Sequence, residues 1–206
     1  RDNAGNQIGT NSITFKLDST PPTITAVPDR APDDGSLWYK DTVTVDVSGS
    51  DNLSGFSHSD YYLVTGAGGV LTGTMPVTIT DEGQNNLSLM SFDMAGNNAA
   101  TTFYYRVDRN PPTAGVTISG TLGQNDWYVS KVNLNVDAND SASGVCVRSL
   151  NVDSAGWQSA PVNGYGVQGN HSFVGQSQDC VGRDALVSNA LAFKVDTVDP
   201  SIETTT

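Results

Sequence analysis

The sequence predicts an all-β chain, antiparallel sandwiches in series, on three observations. One motif recurs. Asp93-Met94-Ala95-Gly96-Asn97 leads to the alternating stretch Thr102-Phe103-Tyr104-Tyr105-Arg106-Val107-Asp108 and then Pro111-Pro112. Asp2-Asn3-Ala4-Gly5-Asn6 leads in the same way to Ile13-Thr14-Phe15-Lys16-Leu17-Asp18 and Pro21-Pro22, and Asp179-Cys180-Val181-Gly182-Arg183 to Leu191-Ala192-Phe193-Lys194-Val195-Asp196 and Asp199-Pro200. A period of about 90 residues marks a tandem array. Apolar and polar residues alternate over short runs, the period of a half-buried strand, and no window holds helical spacing over about three turns. Thr, Ser, Asn, Gly and Val are abundant and Lys is scarce, as in short strands joined by tight turns.

Taken in order, Ile13, Phe15 and Leu17 alternate with Thr14 and Lys16 as a strand that closes a preceding repeat, assigned to residues 1–17. The first full repeat is assigned to residues 18–107. Pro21-Pro22 stiffens its entrance, and Thr23 to Val27 reads as a strand. After the loop Pro28 to Ser36 come Trp38-Tyr39 and an alternating strand through Val43, Val45 and Val47. Asp51-Asn52-Leu53-Ser54-Gly55 is a turn by composition. Tyr61 to Val64 is a strand, the Gly-rich stretch 66–73 a hairpin or irregular crossing, Val77 and Ile79 a further strand, and Asp81-Glu82-Gly83 a turn. Leu87, Leu89 and Ser91 point inward on the strand that leads to Asp93.

The second repeat, residues 108–195, follows the same order. Trp127-Tyr128 matches Trp38-Tyr39, and Val132, Leu134 and Val136 match the three valines. Asp140-Ser141-Ala142-Ser143-Gly144 matches the turn at Asp51, Val152 to Trp157 reads as a hairpin, and Phe173, Gly175 and Ser177 match Leu87, Leu89 and Ser91. Residues 196–206 begin a following repeat or a linker. About seven short strands per repeat, with turn signals at intervals of about 8–12 residues, indicate immunoglobulin-like antiparallel β-sandwiches.

The 206 residues suit two ordinary domains, and the net charge of −12 argues against nucleic acid and anionic membrane, both of which select basic patches. No apolar run reaches about 18 residues, so no membrane insertion is expected. No signal peptide is visible and Arg1 is not an initiator, so a processed or excised piece of a longer protein is expected.

Trp-Tyr before a Val-x-Val-x-Val strand, Asp-x-x-Ser-Gly after it, Asp-x-Ala-Gly-Asn, and Asp-x-x-x-Pro at the repeat's end together resemble the bacterial Ig-like tandem repeats of large cell-surface proteins and fibrillar adhesins. The resemblance covers essentially the whole chain. It implies an extracellular or cell-surface location and a non-catalytic role as a rigid stalk or filament element, with neighbouring repeats or copies of the chain as partners. The second repeat departs from the pattern at Val181-Gly182-Arg183, which puts in doubt any role that needs Asn at position 183.

Several residues bear on chemistry. Cys146 begins the strand after the Asp140 turn and Cys180 lies in the turn after the neighbouring strand led by Phe173, both at one end of the second sandwich, where a disulfide is geometrically natural and would stabilise by about 3–4 kcal/mol through loop closure; two buried free thiols are the alternative. A disulfide implies an oxidising compartment. Asp18, Asp51 and Asp93 share one end of the first repeat, and Asp108, Asp140 and Asp179 the matching end of the second, with Asp81 and Glu82 facing across the junction. Such sets suit calcium, which takes about six to eight oxygens, whereas the plainer reading has each aspartate capping its own turn. Trp157 and Tyr165 lack first-repeat counterparts and are the candidates for binding surface glycans. Ile13, Phe15 and Leu17 are the candidates for a donated assembly strand. No residue is expected to be catalytic: His58 and His171 are expected to be exposed, no phosphate loop or nucleophile elbow occurs, and Lys16 and Lys194 face outward, away from any isopeptide site.

Overall fold

The computed structural model describes residues 3–7, 9, 11–35 and 37–202, and Asp2 of the first motif lies outside them. Among the described residues there is no α-helix. In the first repeat, β1 (Thr23–Pro28), β3 (Val43–Ser50) and β6 (Val77–Ile79) form one sheet in the order β1-β3-β6. β2 (Trp38–Tyr39), β4 (Phe56–Val64), β5 (Val70–Leu71), β7 (Gly83–Asp93) and β8 (Asn98–Val107) form the other, in the order β2-β8-β7-β4-β5. The alternation read from the sequence is what packs them together. Val43, Val45, Val77, Ile79, Leu63, Leu87, Leu89 and Val107 are buried between the sheets, with Tyr39 and Tyr105 beside them.

The second repeat repeats the plan. β9 (Thr113–Ser119), β11 (Val132–Asn139) and β14 (Val162–Tyr165) form a sheet in the order β14-β11-β9. β10 (Trp127–Tyr128), β12 (Val145–Val152), β13 (Trp157–Ser159), β15 (Gly169–Asp179) and β16 (Leu191–Val195) form its partner, in the order β10-β16-β15-β12-β13. A separate core gathers Val132, Leu134, Val136, Leu150, Val152, Phe173, Phe193 and Val195. Where the first core has Leu89 the second has Gly175; a Cβ there would sit 2.7 Å from Val116 and 2.8 Å from Val136, whose methyls fill the space.

Most pairings are antiparallel, but β2 runs parallel to β8 and β10 parallel to β16. These short pairs explain why Trp-Tyr recurs. Tyr39 is buried in the core, while the ring of Trp38 lies under Arg106 and that of Trp127 under Lys194, at 5.9 and 5.8 Å from ring centre to cation. A long aromatic side chain thus covers the sheet edge and holds a basic residue of the last strand.

One expected strand finds no partner here, and one expectation fails. Residues 11–20 join no strand, and Ile13, Phe15 and Leu17 are 75%, 85% and 87% exposed. The strand that β8 finds in β7 has no counterpart beside Ile13 among the described residues, and one apolar face alone does not hold a strand in place. His171 is not exposed: its side chain retains 7% of its accessible surface. It packs against Tyr165 and Phe193, its Nδ1 lies 2.6 Å from Asp153 Oδ2, and its Nε2 lies 3.0 Å from the Val167 carbonyl oxygen. His58 is exposed and stacks on Phe92.

Candidate functional site

Two turns build the same end of each repeat. In Asp-x-x-Ser-Gly, the Asp51 carboxylate accepts from the amides of Leu53 and Gly55 at 3.0 and 2.9 Å, and Asp140 accepts from Ala142 and Gly144 at 2.9 and 2.8 Å. The motif's fixed spacing is the reach of one carboxylate round its own turn. In Asp-x-Ala-Gly-Asn, Asp93 Oδ1 accepts from the Asn97 amide at 2.8 Å, and Asp179 Oδ1 from the Arg183 amide at 2.7 Å. The glycine survives the change of sequence because Gly96 and Gly182 sit at φ of 94° and 82°, which a side chain rarely tolerates.

The third aspartate comes from the chain entering each repeat. Asp18 Oδ2 accepts from the Ser54 amide at 2.9 Å. Asp108 Oδ2 accepts from the Ser143 amide at 3.0 Å and also from the Ser143 hydroxyl. Asp18, Asp51 and Asp93 thus converge at one end of the first repeat, and Asp108, Asp140 and Asp179 at that of the second, with one carboxylate oxygen from each residue of a set within 4.8 Å of the others.

The two sets differ in what completes them. In the first, Asn97 Nδ2 donates to Asp93 Oδ2 at 2.8 Å and to the Asp18 carbonyl at 3.2 Å, and the Thr20 backbone amide donates to Asp18 Oδ1 at 2.9 Å. The Ser54 side chain, with the Thr20 amide, holds the Asp18 carboxyl below its ordinary range. In the second, Arg183 stands where Asn97 stood. Its Nε donates to the Asp108 carbonyl at 3.3 Å, but its guanidinium runs on into the preceding repeat, to the Lys40 carbonyl and to Asp41 Oδ1 at 2.6 Å. Lys40 Nζ reciprocates with a 2.8 Å bond to the Gly182 carbonyl. Asp108 Oδ1 and Asp179 Oδ2 are left buried with no hydrogen-bond partner, on side chains whose residues are 0% and 1% exposed. Burial, together with the charges of Asp108 and Asp140, pushes the Asp179 carboxyl up.

The turn Asp81-Glu82 does face this set. Glu82 Oε2 accepts from the Arg109 amide at 2.8 Å, one residue on from Asp108. Burial and Asp108 raise the Glu82 carboxyl, although the Arg109 amide opposes the shift. Asp81 instead accepts from the Thr80 hydroxyl at 3.3 Å, and neither Asp81 nor Glu82 is among the carboxylates that converge within 4.8 Å.

Cys146 and Cys180 are joined by a disulfide that closes a 34-residue separation and ties β12 to the turn that carries Asp179 and Arg183. Trp157 and Tyr165 are not brought to one face. Trp157 lies exposed on the edge strand β13, whereas Tyr165, on β14 of the opposite sheet, packs on the core and places its hydroxyl 3.2 Å from His171 Nδ1. Sequence reasoning missed Lys40, Arg183, Ser143 and the Asp153–His171 pair. For Arg183 a signal was present, namely the departure from Ala-Gly-Asn.

Fold and motifs together define a class: tandem Ig-like antiparallel β-sandwich repeats, with similarity to bacterial adhesin repeats. No family model matches the chain. Over 128 residues, 60% of its length, the chain is 32% identical to the serine-rich adhesin for platelets of Staphylococcus aureus strain USA300, and 31% identical to that of strain MRSA252. It spans 5% of the first adhesin and 9% of the second. Superposition on solved structures is loose. A bacterial ice-binding adhesin aligns with a TM-score of 0.42 and 15% identity, over 87% of this chain and 67% of that one. Clostridium thermocellum CbhA fibronectin(III)-like modules align with a TM-score of 0.36 and 14% identity, over 88% and 100%.

Proposed function

We propose that the chain is a non-catalytic stalk element of a bacterial adhesin-like protein at the cell surface or outside the cell. In this reading residues 18–107 and 108–195 stand as rigid repeats in series, and their partners are neighbouring repeats. The observation that carries it is the reciprocal clamp across the junction, Arg183 onto Lys40 and Asp41 and Lys40 onto Gly182. Partly buried charge-assisted bonds fix direction as well as distance, and Pro111-Pro112 beside them removes backbone freedom. Similarity to a surface adhesin and a disulfide suited to an oxidising compartment support the location. Calcium is the cofactor this reading takes at the carboxylate sets.

Residual dipolar couplings test the stalk. One shared alignment tensor for both repeats is expected, and it should split into two in the Arg183→Asn, Lys40→Ala double variant. Independent tensors in the unaltered chain would make it a flexible tether instead.

A second reading, strand donation to another copy, draws on the exposure of Ile13, Phe15 and Leu17 beside backbone that joins no sheet. Electron microscopy of the chain with and without residues 1–17 decides it: fibres that vanish on deletion support it, and fibres that persist exclude it.

A further inference from the structure

The five-stranded sheet of the first repeat has an outer face that its core does not use. Cross-strand register puts Asp60, Met90 and Ala100 in one row of that face, Tyr62, Ser88 and Thr102 in the next, and Val64, Asn86 and Tyr104 in a third. Small residues in the first two rows leave a depression of about 560 Å³ among Asp60, Tyr62, Ser88, Met90, Ala100 and Thr102. That volume falls in the range of about 300–1,000 Å³ typical of small-ligand clefts. Tyr62, Met90 and Tyr104 are 50%, 44% and 62% exposed, and large apolar side chains gathered on one open face mark a site of interaction. The second repeat does not reproduce the face. Its matching rows hold Ser149 with Gln176 and Asn151 with Val174, and Ala192 stands where Tyr104 does. An aromatic residue that packs a repeat recurs, as Trp38 and Trp127 do; Tyr62 and Tyr104 do not recur.

We propose that this depression binds an uncharged pyranose glycan, a function beyond the stalk reading and independent of it. A pyranose ring has a face of C–H groups and a rim of hydroxyls. The Tyr62 ring offers the first a flat apolar surface on a side chain with little freedom to lose, and Met90 adapts to the ring's outline. The rim meets oxygens that both give and take. Ser88 Oγ and Thr102 Oγ1 lie 3.0 Å apart, and each hydroxyl donates once and accepts. The Asp60 carboxylate has no hydrogen bond or ion pair among the described residues, so its acceptor sites are open to sugar hydroxyls. The lining carries Asp60 and no Lys, Arg or His, which selects against sialylated and sulfated sugars. An extended peptide is disfavoured too. The depression lies over β4, β7 and β8, whose backbones pair with one another, so no free edge is there for a strand to join. The glycan site therefore moves from Trp157 and Tyr165, which lie on opposite sheets of the second repeat, to the first repeat.

A printed array of neutral, sialylated and sulfated oligosaccharides, probed with the full 206-residue chain, tests this. Retention of neutral glycans is expected, and an NMR titration with the strongest of them should move the amide signals of β4, β7 and β8 around Tyr62, Ser88 and Thr102. Tyr62→Ala should weaken binding by at least about tenfold, as loss of an aromatic anchor does, and Asp60→Asn by at least about threefold. Trp157→Ala should leave it unchanged. Circular dichroism shows that each variant folds, and the half-exposed Tyr62 is outside the core. An array on which no neutral glycan is retained overturns the proposal, as does retention of sialylated or sulfated glycans alone. So does a folded Tyr62→Ala that binds as tightly as the parent, or a titration that moves signals away from this face. Signals there that shift with protein concentration in the absence of sugar assign the face to a second copy of the chain and also overturn it. None of these outcomes touches the dipolar couplings, by which the stalk reading stands or falls separately.

Discussion

The turn after β7 and the turn after β15 have the same backbone, with the same aspartate and the same left-handed glycine, and they do opposite things. At Asn97 the side chain folds back and satisfies its own repeat's carboxylate. At Arg183 the side chain leaves, ties the repeat to its neighbour and strips Asp179 of a donor. Equivalent positions in a tandem array therefore need not share a role. A turn whose geometry rests on backbone bonds and one glycine leaves its last side chain free to serve either the repeat or the junction.

The largest expected effect removes a feature that only the second repeat has. Cys146→Ala with Cys180→Ala should cost that repeat about 3–4 kcal/mol, read by amide hydrogen exchange as a loss of protection concentrated in β12 and β15. Next is the first repeat's own device. Asn97→Ala leaves a carboxylate oxygen of the 4%-exposed Asp93 without its donor, and chemical denaturation should show a loss of about 1–3 kcal/mol confined to the first repeat. Arg183→Asn should raise the second repeat's own stability, by about 1 kcal/mol, because the new side-chain amide can donate to the unpartnered Asp179 Oδ2 while the backbone bond to Asp179 is kept. Its larger effect is to separate the two melting transitions, which share the clamp in the parent. If the transitions stay coupled, the clamp is not what joins the repeats.

The smallest effect is one of sign. Asp179 is raised above its ordinary value of 3.8, chiefly by burial and then by its acidic neighbours. A carboxyl raised in the fold favours folding fully below its unfolded value, and that contribution fades as pH rises through the folded one. Asp18 is lowered from the same 3.8, chiefly by Ser54, so its contribution is present above 3.8 and fades as pH falls through the lower folded value. In chelator, unfolding measured against pH should therefore show the second repeat gaining stability on mild acidification toward 3.8 and the first losing it below that point. Parallel slopes would erase the distinction between the two sets.

Much of this was legible in advance, and the residues show why. Alternation at Val43, Val45 and Val47 and at Leu87, Leu89 and Ser91 is a local pattern with one packing solution, and the structure adopts it. The aspartates were legible as two sets of three because repeat numbering carries each from one repeat to the other, and the cysteines because neighbouring strands leave them few places to go. What was not legible depends on contacts far apart in sequence. Lys40 meets Gly182 only once both repeats are folded and docked. His171 was expected to be exposed, but it shares the inward parity of Phe173, and Asp153 and Tyr165 close over it from two other segments. Ile13 to Leu17 carried a strand's pattern without a strand's partner, and pattern alone did not order it.

The parallel pairs β2–β8 and β10–β16 bear on how such a chain behaves when it is pulled. Each joins a strand near a repeat's entrance to the strand at its exit. Tension along the chain drags these two in opposite directions along their common axis, so their hydrogen bonds share the load and fail together instead of opening one by one. Should the second repeat give way, the disulfide keeps the 34-residue separation from Cys146 to Cys180 out of the lengthening, shortening the release by about 110–120 Å. A chain made this way yields late under tension, and its stapled half then yields only partway.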